Sequence, residues 1–360
     1  MMLLLGLVLI LVGITFFYLR GENLRAFDEP RPRHFGQESE PSAEHQAVVD
    51  SMGELAAQSS GGGSKKDQLK QMRAYLDDMG KDVVFDGEII PVNEGQVRGE
   101  WVVAAGADPA RRMLYIHGGA WIMGSPLSHR AITTHYAKLL GGAVFSLDYR
   151  LMPENTRQAG IDDCRNAWEW LLENGPQGPL AADRLFVSGD SAGGNLTLSL
   201  LTWIRDQGLR APDAAVALSP ATDGTFTSPS LKDNVDSDHM LGPQFGKLNR
   251  IPNSILNWSA WATNRIPPSS PAVSPVFGDL SGLPPTLVHA SAAEMLLDDA
   301  VRYANKAREA GSPVEIQTWQ HMVHVWHIFV ADLPEAQQAF AEIDRFLKRH
   351  GASSSAAEAA

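Results

Sequence analysis

A serine in the middle of a glycine-rich pentapeptide is the first residue of this chain whose setting could support covalent chemistry. Ser191 is the central residue of GDSAG at 189–193, which fits the pattern G-x-S-x-G. In that pattern a strand turns sharply into a helix, and the flanking residues are glycine because bulky side chains would clash. The runs LFVS at 185–188 and NLTLSLL at 195–201 can supply such a strand and helix. The alternative is an ordinary strand-to-helix turn, but the context predicts that Ser191 is a nucleophile.

A second glycine-rich segment, HGGAW at 117–121, directly follows an apolar run at 113–116. Because glycine has no Cβ, backbone N–H groups in such a loop can approach a developing oxyanion. The N–H groups of Gly118 and Gly119, together with that of Ala192 after the nucleophile, are therefore predicted to form an oxyanion hole. By itself the segment would be interpreted as a tight turn with a structural imidazole. A nucleotide-phosphate loop is disfavoured because neither glycine-rich phosphate motif is present.

The elements that must position these loops alternate between short apolar runs and longer helix-like stretches, which predicts an α/β fold around a largely parallel sheet. Eight strands are predicted, at 83–90, 99–103, 113–116, 143–147, 185–188, 215–218, 286–289 and 314–318. Helices are predicted at 129–140, 161–173, 193–206, 296–310 and 334–348. The stretch 222–275 breaks this alternation and is interpreted as an insertion of the kind that forms lids or binding loops.

These motifs resemble those of the hormone-sensitive lipase family of α/β hydrolases, which includes bacterial carboxylesterases and arylacetamide deacetylase-like enzymes. The shared segments are HGG at 117–119, DYRL at 148–151, PE at 153–154, GDSAGG at 189–194, LSP at 218–220 with Asp223, SP at 274–275, LPP at 283–285, EMLLDD at 294–299 and MVH at 322–324. The resemblance runs from about residue 67 to 349. It implies an eight-stranded α/β-hydrolase fold, with helices flanking a mostly parallel sheet and a helical cap from about 67–82 and 222–275.

The resemblance also implies the other two members of a catalytic triad. Relatives usually have Asp at the head of the pattern D-x-L-x-D-[DE], where this chain has Glu294. Either acid can hold the imidazole N–H and stabilise the imidazolium, and the rival acids are Asp298 and Asp299. His324 follows as the general base, in the order Ser, acid, His. The implied function is a serine carboxylesterase that hydrolyses short- to medium-chain esters through an acyl-enzyme, with no cofactor and no metal.

Three further residues are candidates for the substrate pocket: Trp121, Asp190 and Trp326. Core or cap packing is an equally good interpretation of the two tryptophans. Asp190 is more readily interpreted as orienting, through hydrogen bonds, the loop at 117 or the strand-to-helix turn at 189–193, which we call the elbow. The chain departs from the family pattern at Ala120, where relatives have a third glycine, and at NTRQAG (155–160), where relatives tend to show a His and two prolines. The second departure bears on the substrate class rather than on the reaction.

Composition excludes several other classes of function. The 360 residues are 44% hydrophobic and 20% charged, which argues against a mainly disordered protein. Thirty Lys and Arg against 42 Asp and Glu give a net charge of −12, the wrong sign for a nucleic-acid partner. The single cysteine, Cys164, excludes an intramolecular disulfide. The three-residue spacing of His321, His324 and His327 lacks the Glu and the i,i+4 pair of helical zinc sites, so no metal is predicted.

The N-terminal segment 1–19 carries no ionisable side chain and, at about 1.5 Å per helical residue, reaches roughly the thickness of a bilayer core. It is predicted to be a single-pass membrane anchor or an uncleaved signal. Because arginines follow it and none precedes it, the catalytic domain is predicted to be cytoplasmic, with an exported, periplasmic protein as the alternative. The predicted segments are the anchor at 1–19, a polar linker at 20–66, the catalytic domain at 67–349 and a disordered tail at 350–360.

Two other functions stay open at this level. An acyltransferase or a lactonase would use the same acyl-enzyme, and competition between water and added alcohols separates acyl transfer from hydrolysis. A non-catalytic ligand-binding protein would keep the hydrolase fold without turnover. The presence of Ser191, a carboxylate and His324 argues against it, because a strained turn is costly to keep without use.

Overall fold

The computed structural model describes residues 6, 10–32, 34–36, 40–58 and 64–352. Apart from a short antiparallel pairing of Asn174–Gly175 with Gly178–Pro179, its strands are β1 His34–Phe35, β2 Gly87–Glu94, β3 Val97–Ala104, β4 Arg111–Ile116, β5 Ala143–Leu147, β6 Arg184–Asp190, β7 Ala214–Leu218, β8 Thr286–Ser291 and β9 Val314–Trp319. They form one sheet in the order β1-β9-β8-β7-β6-β4-β5-β3-β2. Only the β2–β3 and β3–β5 pairs of this sheet are antiparallel. The predicted mostly parallel α/β sheet is confirmed, and β1 adds a ninth strand that the sequence did not predict.

Helices cover both faces of the sheet. They are α1 Ala43–Gln58, α2 Lys65–Lys81, α3 Arg130–Leu140, α4 Arg157–Glu173, α5 Ala192–Asp206, α6 Ser230–Asp233, α7 Gly242–Phe245, α8 Asn253–Asn264, α9 Leu297–Glu309 and α10 Pro334–Leu347. Along β4, Leu114 and Ile116 join the apolar layer that contains α4, α5 and α9, while Met113 and Tyr115 join the layer that contains α3 and α10. This alternation follows from the two-residue period of a strand and explains why the central strands are apolar throughout.

The N-terminal segment differs most from its prediction. Its described part packs against the insertion: the Trp258 Nε1–H of α8 donates to Thr15 Oγ1 at 2.8 Å, and Leu19 is fully buried. Among the described residues, no helix is long and apolar enough to cross a membrane. The predicted single-pass anchor, the membrane partner and the membrane localisation are therefore wrong. Residues 1–5 and 7–9 of the predicted anchor lie outside the described residues.

The segment predicted as a polar linker at 20–66 is partly folded. Residues 20–32 and 34–36, which we call the N-terminal strap, contact α9 and end in β1, which pairs with β9. Its ion pairs with α9 are Glu22 with Lys306, Asp28 with Arg302 and Arg31 with Asp298. The charged residues of this segment, which indicated a solvated linker, thus include three that form ion pairs with α9. Residues 59–63 of the Gly-Ser run and 353–360 of the predicted tail lie outside the described residues.

The pair of Asp28 with Arg302 is expected to stabilise the fold. The Arg302 side chain is 3% exposed, and its Nε–H donates to Asp28 Oδ1 at 2.6 Å. Asp28→Ala deprives the buried guanidinium of this acceptor and should lower the free energy of unfolding by about 1–3 kcal/mol, as measured by urea unfolding. Glu22→Ala is the matched control, because Glu22 is 53% exposed and exposed pairs contribute at most about 1 kcal/mol. Equal losses in both variants would contradict a structural role for the Asp28 pair.

Candidate active site

Ser191 lies at the sharp turn between β6 and α5. Its backbone has φ 52° and ψ −115°, a conformation that residues other than glycine rarely adopt and that occurs mostly at functional sites. Two backbone hydrogen bonds hold the turn: Ser191 N–H donates to Leu218 O at 2.8 Å, and Asn195 N–H donates to Ser191 O at 3.0 Å. The predicted strand, turn and helix around Ser191 are therefore all present.

The glycines on either side of Ser191 are required by the close approach of the neighbouring strand. A Cβ on Gly189 would lie 2.5 Å from Gly193 O and 2.6 Å from Ile116 O. A Cβ on Gly193 would collide with Ile116 O, at the end of β4. The turn thus packs directly on the strand that leads into the loop at 117, which brings the two glycine-rich segments of the sequence together.

Ser191, His324 and Glu294 form a continuous chain of hydrogen bonds. Ser191 Oγ lies 2.9 Å from His324 Nε2, and His324 Nδ1 lies 2.5 Å from Glu294 Oε2. The other carboxylate oxygen, Oε1, accepts the Ser291 N–H at 2.7 Å, at the end of β8. Glu294 is fully buried and His324 is 3% exposed. With one oxygen fixed by backbone, the carboxylate presents the other to the imidazole.

The electrostatics around His324 favour its protonated form. Burial by itself lowers the pKa of His324, but the hydrogen bond to Glu294 and the negative charge of Glu294 outweigh burial and raise the pKa above its ordinary value. Such a raised pKa is what a base needs if it is to accept the proton of a serine hydroxyl.

The rival acids, Asp298 and Asp299, are bonded to other groups. Asp298 accepts the Ser230 N–H at 2.8 Å and pairs with Arg31 of the strap. Asp299 accepts the N–H groups of Thr222 and Asp223 at 2.6 and 2.8 Å. These two carboxylates therefore anchor the insertion and the strap on α9, and among the three candidates Glu294 contacts the imidazole.

The loop after β4 is tied to the elbow by Asp190. Asp190 is 2% exposed, and its Oδ1 accepts the Tyr115 hydroxyl at 2.6 Å and the Gly118 N–H at 3.0 Å. His129 Nε2 lies 3.4 Å from its other oxygen. The Gly118 N–H, predicted as an oxyanion donor, is thus directed to Asp190, because a buried carboxylate needs donors. The corresponding N–H groups with no acceptor among the described residues are those of Gly119, Ala120 and Ala192.

The three predicted pocket residues have different surroundings. Trp121 is partly buried, and the Arg157 guanidinium lies over its ring with Cζ 4.4 Å from the centroid. Trp326 has no exposed surface and packs against Trp319 at a centroid distance of 5.1 Å, so it is a core residue and does not line an open pocket. Asp190 acts within the loop, in line with the interpretation that it orients backbone.

Sequence reasoning missed Tyr115, His129 and Arg157. Tyr115 precedes Asp190 by 75 residues and His129 precedes it by 61. The parallel pairing of β4 with β6 brings Tyr115 to Asp190, and His129 reaches Asp190 from the turn before α3. Arg157 carried a signal that could have been followed, since it lies in the segment 155–160 that departs from the family pattern.

Comparison with known proteins agrees with this geometry. Residues 113–328 match the α/β-hydrolase fold family. An acetyl-hydrolase of Streptomyces hygroscopicus is 36% identical over 73% of this chain and 82% of its own length. An esterase of Acinetobacter venetianus is 36% identical over 72% of this chain and 81% of its own length. The crystal structure of an esterase from the bacterial hormone-sensitive lipase family superimposes with a TM-score of 0.74 at 32% identity, covering 86% of this chain and 99% of that one.

The glycine after Ala192 supplies a test of the elbow. Gly193→Ala should displace the turn from β4, lowering the free energy of unfolding by about 1–3 kcal/mol and disrupting the approach of Ser191 to His324. Gly53→Ala is the matched control, because Gly53 lies within α1 with no atom near its would-be Cβ. There alanine should stabilise by roughly 0.5–1 kcal/mol. Thermal unfolding measures both changes, and a neutral effect of Gly193→Ala would show that β4 does not constrain the elbow.

Proposed function

This chain belongs to the hormone-sensitive lipase family of α/β hydrolases, and we propose that it cleaves short- to medium-chain carboxylic esters with Ser191 as nucleophile. It is a carboxylic ester hydrolase. One observation carries the proposal for the site: the unbroken hydrogen-bonded chain from Ser191 Oγ through the imidazole of His324 to the carboxylate of Glu294. The name of one relative, an acetyl-hydrolase, supports acyl chains at the short end of the range.

In the first half of the reaction, His324 Nε2 accepts the Ser191 hydroxyl proton while Ser191 Oγ attacks the ester carbonyl. Glu294 holds the Nδ1–H of the ring and stabilises the imidazolium that forms. The tetrahedral oxyanion is met by backbone N–H groups, for which Gly119, Ala120 and Ala192 are the available donors. Removing one such donor typically lowers the rate by about 10²- to 10³-fold. His324 then gives its proton to the departing alcohol, leaving an acyl group on Ser191.

In the second half, water replaces the alcohol. His324 Nε2 takes a proton from the water as its oxygen attacks the acyl carbonyl, and it returns a proton to Ser191 Oγ when the carboxylic acid leaves. The partly buried position of Ser191 fits this step, because the nucleophile must stay in reach of both substrate and water.

Hydrolysis of p-nitrophenyl esters of increasing acyl length by the full chain tests this function. We expect Ser191-dependent activity that peaks on short or medium chains. Ser191→Ala should lower kcat by a factor on the order of 10⁶, because the acyl-enzyme cannot form. Ser199→Ala, about two turns further along α5, is the matched control, because it makes the same Ser-to-Ala change in the same helix at an exposed hydroxyl that donates to Pro271 O at 3.3 Å. Activity that survives in Ser191→Ala would refute the mechanism. Transfer of the acyl group to added alcohols in preference to water would indicate an acyltransferase.

The pH dependence tests the roles of His324 and Glu294. Only neutral His324 can accept the serine proton, so kcat/KM should fall as the pH drops through its raised pKa. Glu294→Gln removes the negative charge, so burial then dominates and lowers that pKa. The acid limb should therefore move to lower pH, while the plateau of kcat/KM falls by a factor on the order of 10⁴.

Glu315→Gln serves as the control for this profile, because Glu315 is an exposed glutamate on β9 whose side chain is 46% exposed. Its acid limb should coincide with that of the wild type. An acid limb that stays in place in Glu294→Gln would show that Glu294 does not act on the base.

A further inference from the structure

Arg157, at the start of α4, is a buried cation with no carboxylate partner. It is 3% exposed, and none of the ion pairs among the described residues includes it. The acids near it in the chain pair with other arginines: Glu154 with Arg73, Asp162 with Arg165 and Asp163 with Arg150. Its one hydrogen bond among those residues runs from Nη2–H to Asn195 Oδ1 at 2.7 Å. Burial lowers the pKa of Arg157 to about 10, so the group keeps its charge at neutral pH. A buried positive charge without an anion is costly unless something supplies one.

Another arginine of this chain shows what a purely structural buried guanidinium looks like. Arg112 is also fully buried and also lacks a carboxylate, yet its nitrogens donate to three backbone carbonyl oxygens, those of Pro109, Leu171 and Leu180. A guanidinium has five N–H donors, and Arg157 uses one of them. Arg157 therefore has more N–H donors without an acceptor among the described residues than Arg112 has.

The Arg157 guanidinium lies beside the loop after β4 and the helix α5. The guanidinium covers one face of Trp121, the residue that follows Ala120 in the loop after β4. Its hydrogen-bond partner Asn195 stands one helical turn after Ser191, and Asn195 Nδ2 donates to Ala221 O at 2.7 Å and Val273 O at 2.8 Å. Those bonds fix Asn195 Oδ1 toward Arg157. The cation thus sits between the oxyanion loop and the helix of the nucleophile.

A second donor in the same place also lacks an acceptor. The indole Nε1–H of Trp121 is buried and has no hydrogen-bond partner. Stacking orients the planar guanidinium, since Arg over an aromatic ring is held by cation–π attraction. The Arg157 guanidinium and the Trp121 indole together have a single acceptor among the described residues, Asn195 Oδ1. This part of the site therefore lacks hydrogen-bond acceptors and negative charge.

We propose that Arg157 and Trp121 form a subsite that binds a carboxylate carried by the ester substrate. The inference rests on the proposed esterase function and names the class of substrate it takes. A carboxylate matches the planar fork of a guanidinium and supplies both the missing charge and the missing acceptors. The subsite also gives a physical role to the departure of segment 155–160 from the family pattern.

Matched pairs of esters test this subsite. One pair is p-nitrophenyl hexanoate and the mono-p-nitrophenyl ester of adipic acid, which differ by a carboxylate on the acyl chain. The other is phenyl acetate and 4-acetoxybenzoate, which differ by a carboxylate on the alcohol portion. The quantity measured is the ratio of kcat/KM for the anionic ester to that for the neutral ester, after subtraction of uncatalysed hydrolysis. Arg157→Met should lower this ratio by about 10- to 100-fold in the pair whose carboxylate reaches the subsite.

Two further variants make the result specific. Arg157→Lys keeps the charge but loses the fork, so its ratio should lie between those of the wild type and the methionine variant. Arg165→Met is the matched control, because Arg165 lies on the same helix over the ring of Trp203 at 5.3 Å. Its ratio should equal that of the wild type.

The outcomes separate the subsite from the esterase function. If the wild type hydrolyses no ester in a Ser191-dependent way, the proposed function itself fails. If it hydrolyses the neutral esters but Arg157→Met leaves the ratio unchanged in both pairs, the esterase stands and the subsite is overturned. If Arg157→Met does not fold, as judged by circular dichroism, the ratio in Arg157→Lys decides in the same way.

Discussion

The contact between the serine turn and the end of β4 is the constraint on which the rest of the site depends. Ser191 holds a strained backbone because Gly193 lies against Ile116 O, closer than any side chain would permit. Parallel pairing of β4 with β6 sets this approach and places both glycine-rich loops at the same edge of the sheet. The proposed nucleophile and the proposed oxyanion donors lie together because β4 and β6 are neighbours and end at the same edge of the sheet.

Buried carboxylates serve two different purposes around this turn. Glu294 directs one oxygen to backbone and the other to the imidazole of His324, so its charge acts on the proposed base. Asp190 directs its oxygens to Tyr115, Gly118 and His129, so its charge holds a loop. The difference lies in what the imidazole beside each carboxylate contacts on its other side. His324 Nε2 lies 2.9 Å from Ser191 Oγ, whereas His129 Nδ1 lies 2.8 Å from Ser128 Oγ, away from the serine turn.

Local sequence was sufficient to predict the eight long strands, the elbow and the glycine-rich loop after β4, because each depends on periodicity or on glycines within a few residues of chain. It was insufficient where a side chain's role depends on a distant partner. Gly118 looked like a free donor until Asp190 was placed beside it, and Trp326 looked like a pocket wall until Trp319 and His327 surrounded it. The segment 10–19 is apolar enough to indicate a membrane, yet its described part packs on α8. Apolar composition indicates that a segment will be buried, but it does not indicate whether lipid or protein will cover it.

The N-terminal strap has a consequence for association between molecules. In a sheet the outermost strand presents unpaired backbone N–H and C=O groups, which invite pairing with another chain. β9 would be that strand, but His34 and Phe35 pair with Thr318 and Trp319, and the ring of Phe35 stacks on Trp319 at 4.7 Å. The strap therefore covers the end of this edge strand, and a chain that lost it would expose more unpaired backbone for edge-to-edge aggregation. The ion pairs of the strap with α9 hold it against the sheet edge.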